Sequence, residues 1–183
     1  AKEIQFADEL FLKHKIETSK KTIMISLIGS EKIKTYPLQY MAKILDYIIE
    51  NHNVNLLFNY FPNQIEDAKM VFDSCKIETQ NNIYFDVLGS NLREYIAIMH
   101  KCDLIIGNDG GALNLAKALN KPSFIIFSPW IEKKIWATFE DGKKHDSIHL
   151  KEIDNSLFEN KTEKQLKQYS LELYQKMEPK LVI

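Results

Sequence analysis

Short, largely apolar runs recur along this chain, and most are followed by a segment whose apolar residues return every three or four positions. The runs are Thr22–Ile28, Val54–Asn59, Ile83–Phe85, Leu104–Ile106 and Ser123–Phe127, with Ser147–Leu150 as a plausible sixth. A strand that is apolar on both sides must be covered on both sides, which is the condition of a strand inside a parallel sheet. The intervening segments have helical spacing: Leu38, Met41, Ala42, Leu45, Ile48 and Ile49; then Ile65, Ala68, Phe72 and Cys75; then Leu92, Tyr95, Ile96 and Met99. Alternation of this kind implies right-handed βαβ units. The expected fold is therefore α/β: a Rossmann-like parallel sheet of about six strands with helices on both faces. An amphipathic helix over residues 3–15, with Ile4, Ala7 and Phe11 inward, precedes the first strand. Thr162 with Gln165 forms a capping box that starts a last helix over about 162–178, with Leu166, Tyr169, Leu173 and Met177 on one side. No linker or repeat divides the chain, so residues 1–183 read as one domain with its core at about 20–150.

Composition removes several classes of function. With 45% hydrophobic and 27% charged residues the chain has the makeup of a globular domain. A formal net charge of −1 offers no global field for nucleic acid, so no nucleic-acid partner is expected. Lys13, Lys15, Lys20 and Lys21 form a small basic segment that a solvated helix end and turn explains. The two cysteines, Cys75 and Cys102, sit in apolar contexts without a CxxC, which fits a reducing compartment better than a disulfide framework. No run has the length of a transmembrane segment. His145 and His149 stand four apart, but on a strand that spacing does not converge on a metal, so no metal site is assigned.

The chemistry gathers where strands end. Leu104 to Leu119 reads as an apolar strand, a turn at Asp109-Gly110-Gly111, and an Ala/Leu helix. The free N–H groups and dipole of a helix start favour an anion, and two glycines let a ligand approach the backbone. The competing reading is an ordinary helix start with Asp109 as its cap. Open parallel sheets bind ligands outside the carboxyl ends of their strands. Four polar loops leave those ends: Gly29 to Lys34, Asn59 to Gln64, Val87 to Asn91, and Gly107 to Asn114. Their convergence favours the anion cradle. Trp130 and Trp136, in the loop after the fifth strand, either flank a ligand or anchor the loop.

Taken together, these loops resemble the C-terminal half of glycosyltransferase family 9, the ADP-heptose:lipopolysaccharide heptosyltransferases, over roughly residues 20–150. Asn108 to Pro122 is similar to the family's Asp-Thr-Gly, His, Leu-Ala-Ala-Ala-Leu-Gly run; Asp109 and Gly111 match, Gly110 replaces Thr and Asn114 replaces His. Lys34-Thr35-Tyr36-Pro37 resembles the family's Lys-x-Trp-Pro. Asn59 to Ala68 resembles its Gly-x-Pro-x-Glu segment, with Pro62 matching and Gln64 at the Glu position.

The resemblance implies one half of a two-domain GT-B fold that binds a nucleotide-sugar donor, an ADP-sugar being one candidate, as substrate and without a cofactor. Transfer would be inverting and metal-independent. Lys34 would neutralise the leaving diphosphate, Gly110 and Gly111 would donate backbone N–H groups to it, and Ser30 would add a hydrogen bond. Asp109 would orient the loop or take sugar hydroxyls, Gln64 would face the ribose, and Ser90 would lie near the base. The resemblance further implies a lipid-linked glycan acceptor, an N-terminal acceptor domain carrying the base, and a cytoplasmic location peripheral to the inner membrane face. No base domain precedes Ala1, so this polypeptide alone is expected to bind donor without transferring sugar. Gly110 removes a hydroxyl donor, Asn114 cannot carry the charge of a protonated His, and Gln64 cannot act as an anion toward ribose; the donor is therefore not fixed as ADP-heptose. Two other readings compete: a Rossmann-like interaction module with a decayed nucleotide site, and a response-regulator-like domain. The second needs an acidic pocket after the first strand, where this chain has Ile28-Gly29-Ser30.

Overall fold

The computed structural model describes residues 2–183. Six parallel strands form one sheet: β1 Lys21–Ser26, β2 Val54–Asn59, β3 Ile83–Tyr84, β4 Leu104–Asn108, β5 Ser123–Ile126 and β6 His145–Ile148. Their order is β3-β2-β1-β4-β5-β6. Helices α1 Lys2–Lys13, α2 Leu38–Asn51, α3 Ile65–Ser74, α4 Ile77–Gln80, α5 Leu92–Lys101 and α6 Gly111–Ala118 alternate with the first strands. Beyond β5 come α7 Lys133–Trp136, α8 Leu150–Ile153, α9 Glu163–Gln168 and α10 Ser170–Lys176.

Side-chain alternation along each strand feeds two cores. Ile23, Ile25, Leu56 and Phe58 point to the face covered by α2, α3 and α10, where they meet Met41, Leu45, Val71, Leu173 and Tyr174. Met24, Leu57, Ile105 and Ile125 point to the opposite face and meet Ala7, Phe11, Ile98, Met99 and Leu113 of α1, α5 and α6. Fully burying one such side chain stabilises by about 1.5–3 kcal/mol, so both layers are needed to hold an apolar sheet.

Several local readings change. Pro37, of the residue type favoured at the first position of a helix, is instead the N-cap of α2. The sixth strand begins two residues early, at His145, and ends at Ile148, with His149 capping α8 and Leu150 starting it instead of ending the strand. The last helix is two, broken at Tyr169, whose φ of −95° and ψ of 11° interrupt the helical backbone between α9 and α10. Ile4, Leu92 and Tyr169 are exposed rather than inward. Leu92 is the first residue of α5, so its side chain lies beyond the core that Ala97, Ile98 and Met99 fill. The packed core also reaches outside residues 20–150, through Ala7 and Phe11 before it and Phe158, Leu173, Tyr174 and Met177 after it. Among the described residues no helix is long and apolar enough to cross a membrane.

Candidate functional site

The strand order reverses between β1 and β4, and the crevice at their carboxyl ends is where such a sheet offers a ligand site. One buried side chain organises it. Asn108, the last residue of β4, is 0% exposed. Its Oδ1 accepts from the Tyr36 amide at 2.6 Å, and its Nδ2 donates to the carbonyls of Ser26 at 3.1 Å and Leu27 at 2.8 Å. The loop between β1 and α2 is thereby fastened to the end of β4 at both its entry and its exit. The neighbouring Gly107 has φ +139°, and a Cβ there would lie 2.2 Å from the Ser26 carbonyl oxygen, so only glycine lets the two strands pair this closely.

The loop is also closed on itself. Thr35 Oγ1 accepts from the Gly29 amide at 3.1 Å and donates to the Glu31 carbonyl at 3.0 Å. Lys34 ends a single 3-10 turn, Lys32–Lys34, inside it. From the neighbouring loop, Gln64 Nε2 donates to the Gly29 carbonyl at 3.0 Å while its Oε1 accepts from the Phe61 amide at 2.9 Å. Behind the loop, the Ile33 carbonyl accepts from Ser128 Oγ at 2.7 Å and Ser170 Oγ at 2.8 Å, and Tyr36 Oη donates to the Met177 carbonyl at 2.6 Å. Thus α10 and the loop just after β5 brace the segment that carries Lys34.

Across the crevice α6 begins without a capping side chain, its N-cap being Gly110. Asp109 therefore does not act as the helix cap; its amide donates to the Ile126 carbonyl at 3.3 Å and continues the strand ladder. Gly110 has φ 168°, an extended backbone that any residue adopts. A Cβ added at Gly110 or Gly111 would meet nothing within 4 Å. Neither glycine is demanded by the fold, and the helix N-terminus is left bare for an anion. Burial pushes the Asp109 carboxyl above its ordinary range, and the positive charges of Lys34 and Lys117 partly offset this. Lys34 and Asp109 thus share one electrostatic environment at the mouth of the bare helix end.

Trp130, just beyond β5, closes the site on the side of the C-terminal helices. Lys34 Nζ lies 5.4 Å and Lys167 Nζ 4.7 Å from the centre of its ring. Among the described residues neither lysine is in a salt bridge. Ser30 is exposed on the β1–α2 loop, and Asn114 is exposed on α6. Ser90 is exposed ahead of α5, where its amide donates to Glu94 Oε2 at 2.8 Å. All eight sequence-assigned residues lie at the carboxyl edge of the sheet. The brace formed by Asn108, Ser128, Ser170 and Tyr36 was not assigned from sequence; its one visible signal was a polar Asn ending an apolar strand. His145 hydrogen-bonds Ser123 Oγ at 3.0 Å, and His149 Nδ1 accepts from the Lys151 amide at 3.0 Å. Among the described residues no group of three or more His, Cys, Asp or Glu side chains is placed to hold a metal.

Comparison with known proteins gives a consistent result. The sequence profile of glycosyltransferase family 9 (heptosyltransferase) matches residues 2–170. The chain is 38% identical over 117 residues to lipopolysaccharide heptosyltransferase 1 of Campylobacter coli, a match covering 63% of this chain and 34% of that protein. Its fold resembles the glycosyl transferase family 9 structure from Veillonella parvula, with a TM-score of 0.70 at 16% identity over 96% of this chain and 52% of that one. It also resembles E. coli ADP-heptose lps heptosyltransferase II, with a TM-score of 0.64 at 16% identity over 93% and 51%. The chain thus spans about half the length of these solved structures.

Proposed function

The chain belongs to glycosyltransferase family 9, and from that premise we propose that it is the donor-binding half of an inverting, metal-independent enzyme that moves a sugar from a nucleoside diphosphate to a lipopolysaccharide-type acceptor. The observation that carries this reading is the bare start of α6, where Gly110 and Gly111 leave open space the fold does not need, next to an Asp109 carboxyl that feels the charge of Lys34. A diphosphate suits that pairing: the amides and helix dipole take one part of its charge and the ammonium another.

In the proposed reaction an acceptor hydroxyl attacks the anomeric carbon while a base removes its proton. The bond from that carbon to the diphosphate oxygen breaks, and its electron pair leaves with the nucleoside diphosphate. Negative charge grows on the leaving group, so Lys34 and the α6 amides stabilise the transition state more than the ground state. Because the brace around the loop fixes Lys34 beforehand, little reorganisation is required as charge develops. Asp109 is assigned to orient the loop or to take hydroxyls of the donor sugar. The base and the acceptor-binding surface are assigned to a second domain, and donor binding to these 183 residues. With a lipid-linked acceptor, the working enzyme is proposed to act at the cytoplasmic face of the inner membrane.

Thermal melting with nucleotides tests the reading. At a concentration about 100 times its dissociation constant, ADP should stabilise the chain by about 2.7 kcal/mol. For a chain of this length that is about 5–10 °C. Lys34→Ala should lower the affinity about tenfold, as expected for one charge-assisted contact of ~1.4 kcal/mol. No shift with any nucleoside diphosphate at millimolar concentration refutes the proposal.

A further inference from the structure

Three large apolar side chains turn outward in the crossover from β5 to the edge strand β6. Ile135 is 66% exposed, Trp136 54% and Phe139 82%, all within five residues. Among the described residues other large apolar side chains this exposed, such as Leu12, Phe61 and Met70, stand singly in the sequence, which is ordinary for a protein surface. We propose that this segment is a membrane-contact surface, which seats its apolar side chains among the headgroups of an anionic lipid layer. The inference rests on the reading above of a lipid-linked acceptor, and adds to it the part of this half that touches the membrane.

Three features carry it. First, the exposure is not a packing shortfall. The inward positions of the same segment are filled by Ile131, which is buried, and by Ala137, which packs on the core of α1, α5 and α6. Second, the segment is held from beneath while its apolar tip is pushed outward. Lys117 Nζ, from α6, donates to the Thr138 carbonyl at 2.8 Å and lies 3.7 Å from the Glu140 carboxylate, which also accepts from Ser147 Oγ at 2.8 Å. Phe139, between them, has φ +62°, a left-handed backbone that a bulky side chain adopts only under strain. Stability alone gains nothing from strained backbone that carries a phenyl ring into water. Third, the charges suit an anionic surface. From Lys133 to Lys144 there are four lysines against two carboxylates. Both carboxylates are spent: Glu140 on Lys117 and Ser147, and Asp141 Oδ1 on the amides of Lys143, Lys144 and His145 at 2.8–3.0 Å. Lys134 and Lys143 are exposed and, among the described residues, in no salt bridge. The flanking acids, Glu132 and Asp146, stand outside this stretch. Aromatic and branched side chains that enter the headgroup region, beside lysines that stay at its surface, hold a folded protein to an anionic leaflet. A second copy of the chain docked symmetrically on this segment would set the same lysines against one another, which opposes self-association.

The 183-residue chain is mixed with vesicles of phosphatidylethanolamine and phosphatidylglycerol, and bound protein is read by flotation and by tryptophan emission. Binding is expected, with a blue shift in emission, and should weaken as salt rises. Ile135→Ser and Phe139→Ser should each weaken it about tenfold, the loss expected when one large apolar side chain is withdrawn from the interface. Their melting temperature and ADP affinity should match the parent's. Lys134→Gln combined with Lys143→Gln should weaken it roughly tenfold or more. Phe139→Gly should melt no lower than the parent, because glycine accepts the left-handed backbone, while losing vesicle binding as the serine variant does. Vesicle binding that both serine variants leave intact, or that is equally strong on phosphatidylcholine alone, overturns the proposal. No vesicle binding, with ADP binding intact, overturns it while the donor reading stands. Vesicle binding that follows these expectations with no response to any nucleoside diphosphate overturns the donor reading and keeps the membrane surface. A concentration-dependent dimer that Phe139→Ser disperses, without vesicle binding, assigns the segment to a second copy and overturns the lipid surface.

Discussion

Replacing Asn108 by alanine tests whether one buried amide holds the site together. The side chain is fully buried and serves three backbone partners: the Tyr36 amide and the Ser26 and Leu27 carbonyls. A buried polar group stripped of its partner costs about 1–3 kcal/mol. The carbonyls have second lone pairs and fall at the low end, about 1 kcal/mol each, whereas the Tyr36 amide has a single proton and falls nearer 2 kcal/mol. The sum, about 4 kcal/mol, corresponds to a fall in melting temperature of roughly 8–16 °C at about 2–4 °C per kcal/mol for a chain of this size. Urea denaturation should show the same loss through the midpoint with an unchanged slope. ADP affinity should fall too, because the loop that carries Lys34 loses its fastening to β4. Asn108→Asp sharpens the test: it keeps the acceptor for the Tyr36 amide but turns a carboxylate toward two carbonyls. It should be at least as damaging at neutral pH and recover as acid protonates the carboxyl and restores a donor. An Asn108→Ala protein melting within about 2 °C of the parent refutes the keystone role.

Gly111→Ala should melt at or above the parent temperature, by up to the ~1 kcal/mol that alanine gains over glycine in a helix, while losing ADP affinity; unchanged ADP affinity in calorimetry would count against the cradle. Asp109→Asn should raise stability at neutral pH. The native carboxyl sits above its ordinary value of 3.8, so between that value and the raised native one the unfolded chain releases its proton first. Parent stability then falls as pH rises through that window and stays lower above it. Melting curves of parent and variant should converge below the window, and a variant less stable than the parent at neutral pH refutes this. The same variant should bind nucleotide sugar less tightly relative to free ADP. Gln64→Glu keeps the acceptor for the Phe61 amide but loses the donor to the Gly29 carbonyl, for a cost of about 1–2 kcal/mol that grows as the carboxyl ionises. Should that variant melt like the parent and bind ADP more tightly, a ribose-facing role replaces the staple.

The fold was readable because it rests on patterns that are local and repeated. β2 ends where the apolar run ends, at Asn59. Asn91 caps α5 by accepting from the amides of Arg93 and Glu94, and Thr162 with Gln165 forms the expected capping box. The carboxyl-edge position of Lys34, Asp109 and the two glycines followed from topology alone. The brace did not, since its partners lie far apart in sequence: Tyr36 meets Asn108 and Met177, and Ile33 meets Ser128 and Ser170. Nothing in the spacing of Ser170 distinguishes a buried tie from a solvent-facing helical serine. The break at Tyr169 was equally invisible, because Leu166, Leu173 and Met177 keep helical spacing across it and periodicity cannot register one residue leaving the helical backbone. Trp136, read as flanking a ligand or anchoring its loop, is 54% exposed and so does not anchor the loop in the core.

The site combines two opposite arrangements, and the contrast carries its mechanism. Lys34 is mounted on a loop held from β4 by Asn108, from the β2 loop by Gln64, from the loop after β5 by Ser128 and from α10 by Ser170. The α6 terminus opposite has no capping side chain, and both its glycines face open space. A structure built only for stability would reverse this, capping the helix for about 1 kcal/mol and leaving a surface lysine loop unbraced. Beside it the Asp109 carboxyl is held in an unfavourable state by burial. Unmet polar capacity concentrated at one edge, against a loop fixed in advance, is what electrostatic preorganisation requires. The substitutions at Gly110 and Gln64 fit the same logic. Gly110 bares the helix end further, and Gln64 supplies the amide proton that a carboxylate would lack for tying the lysine loop down.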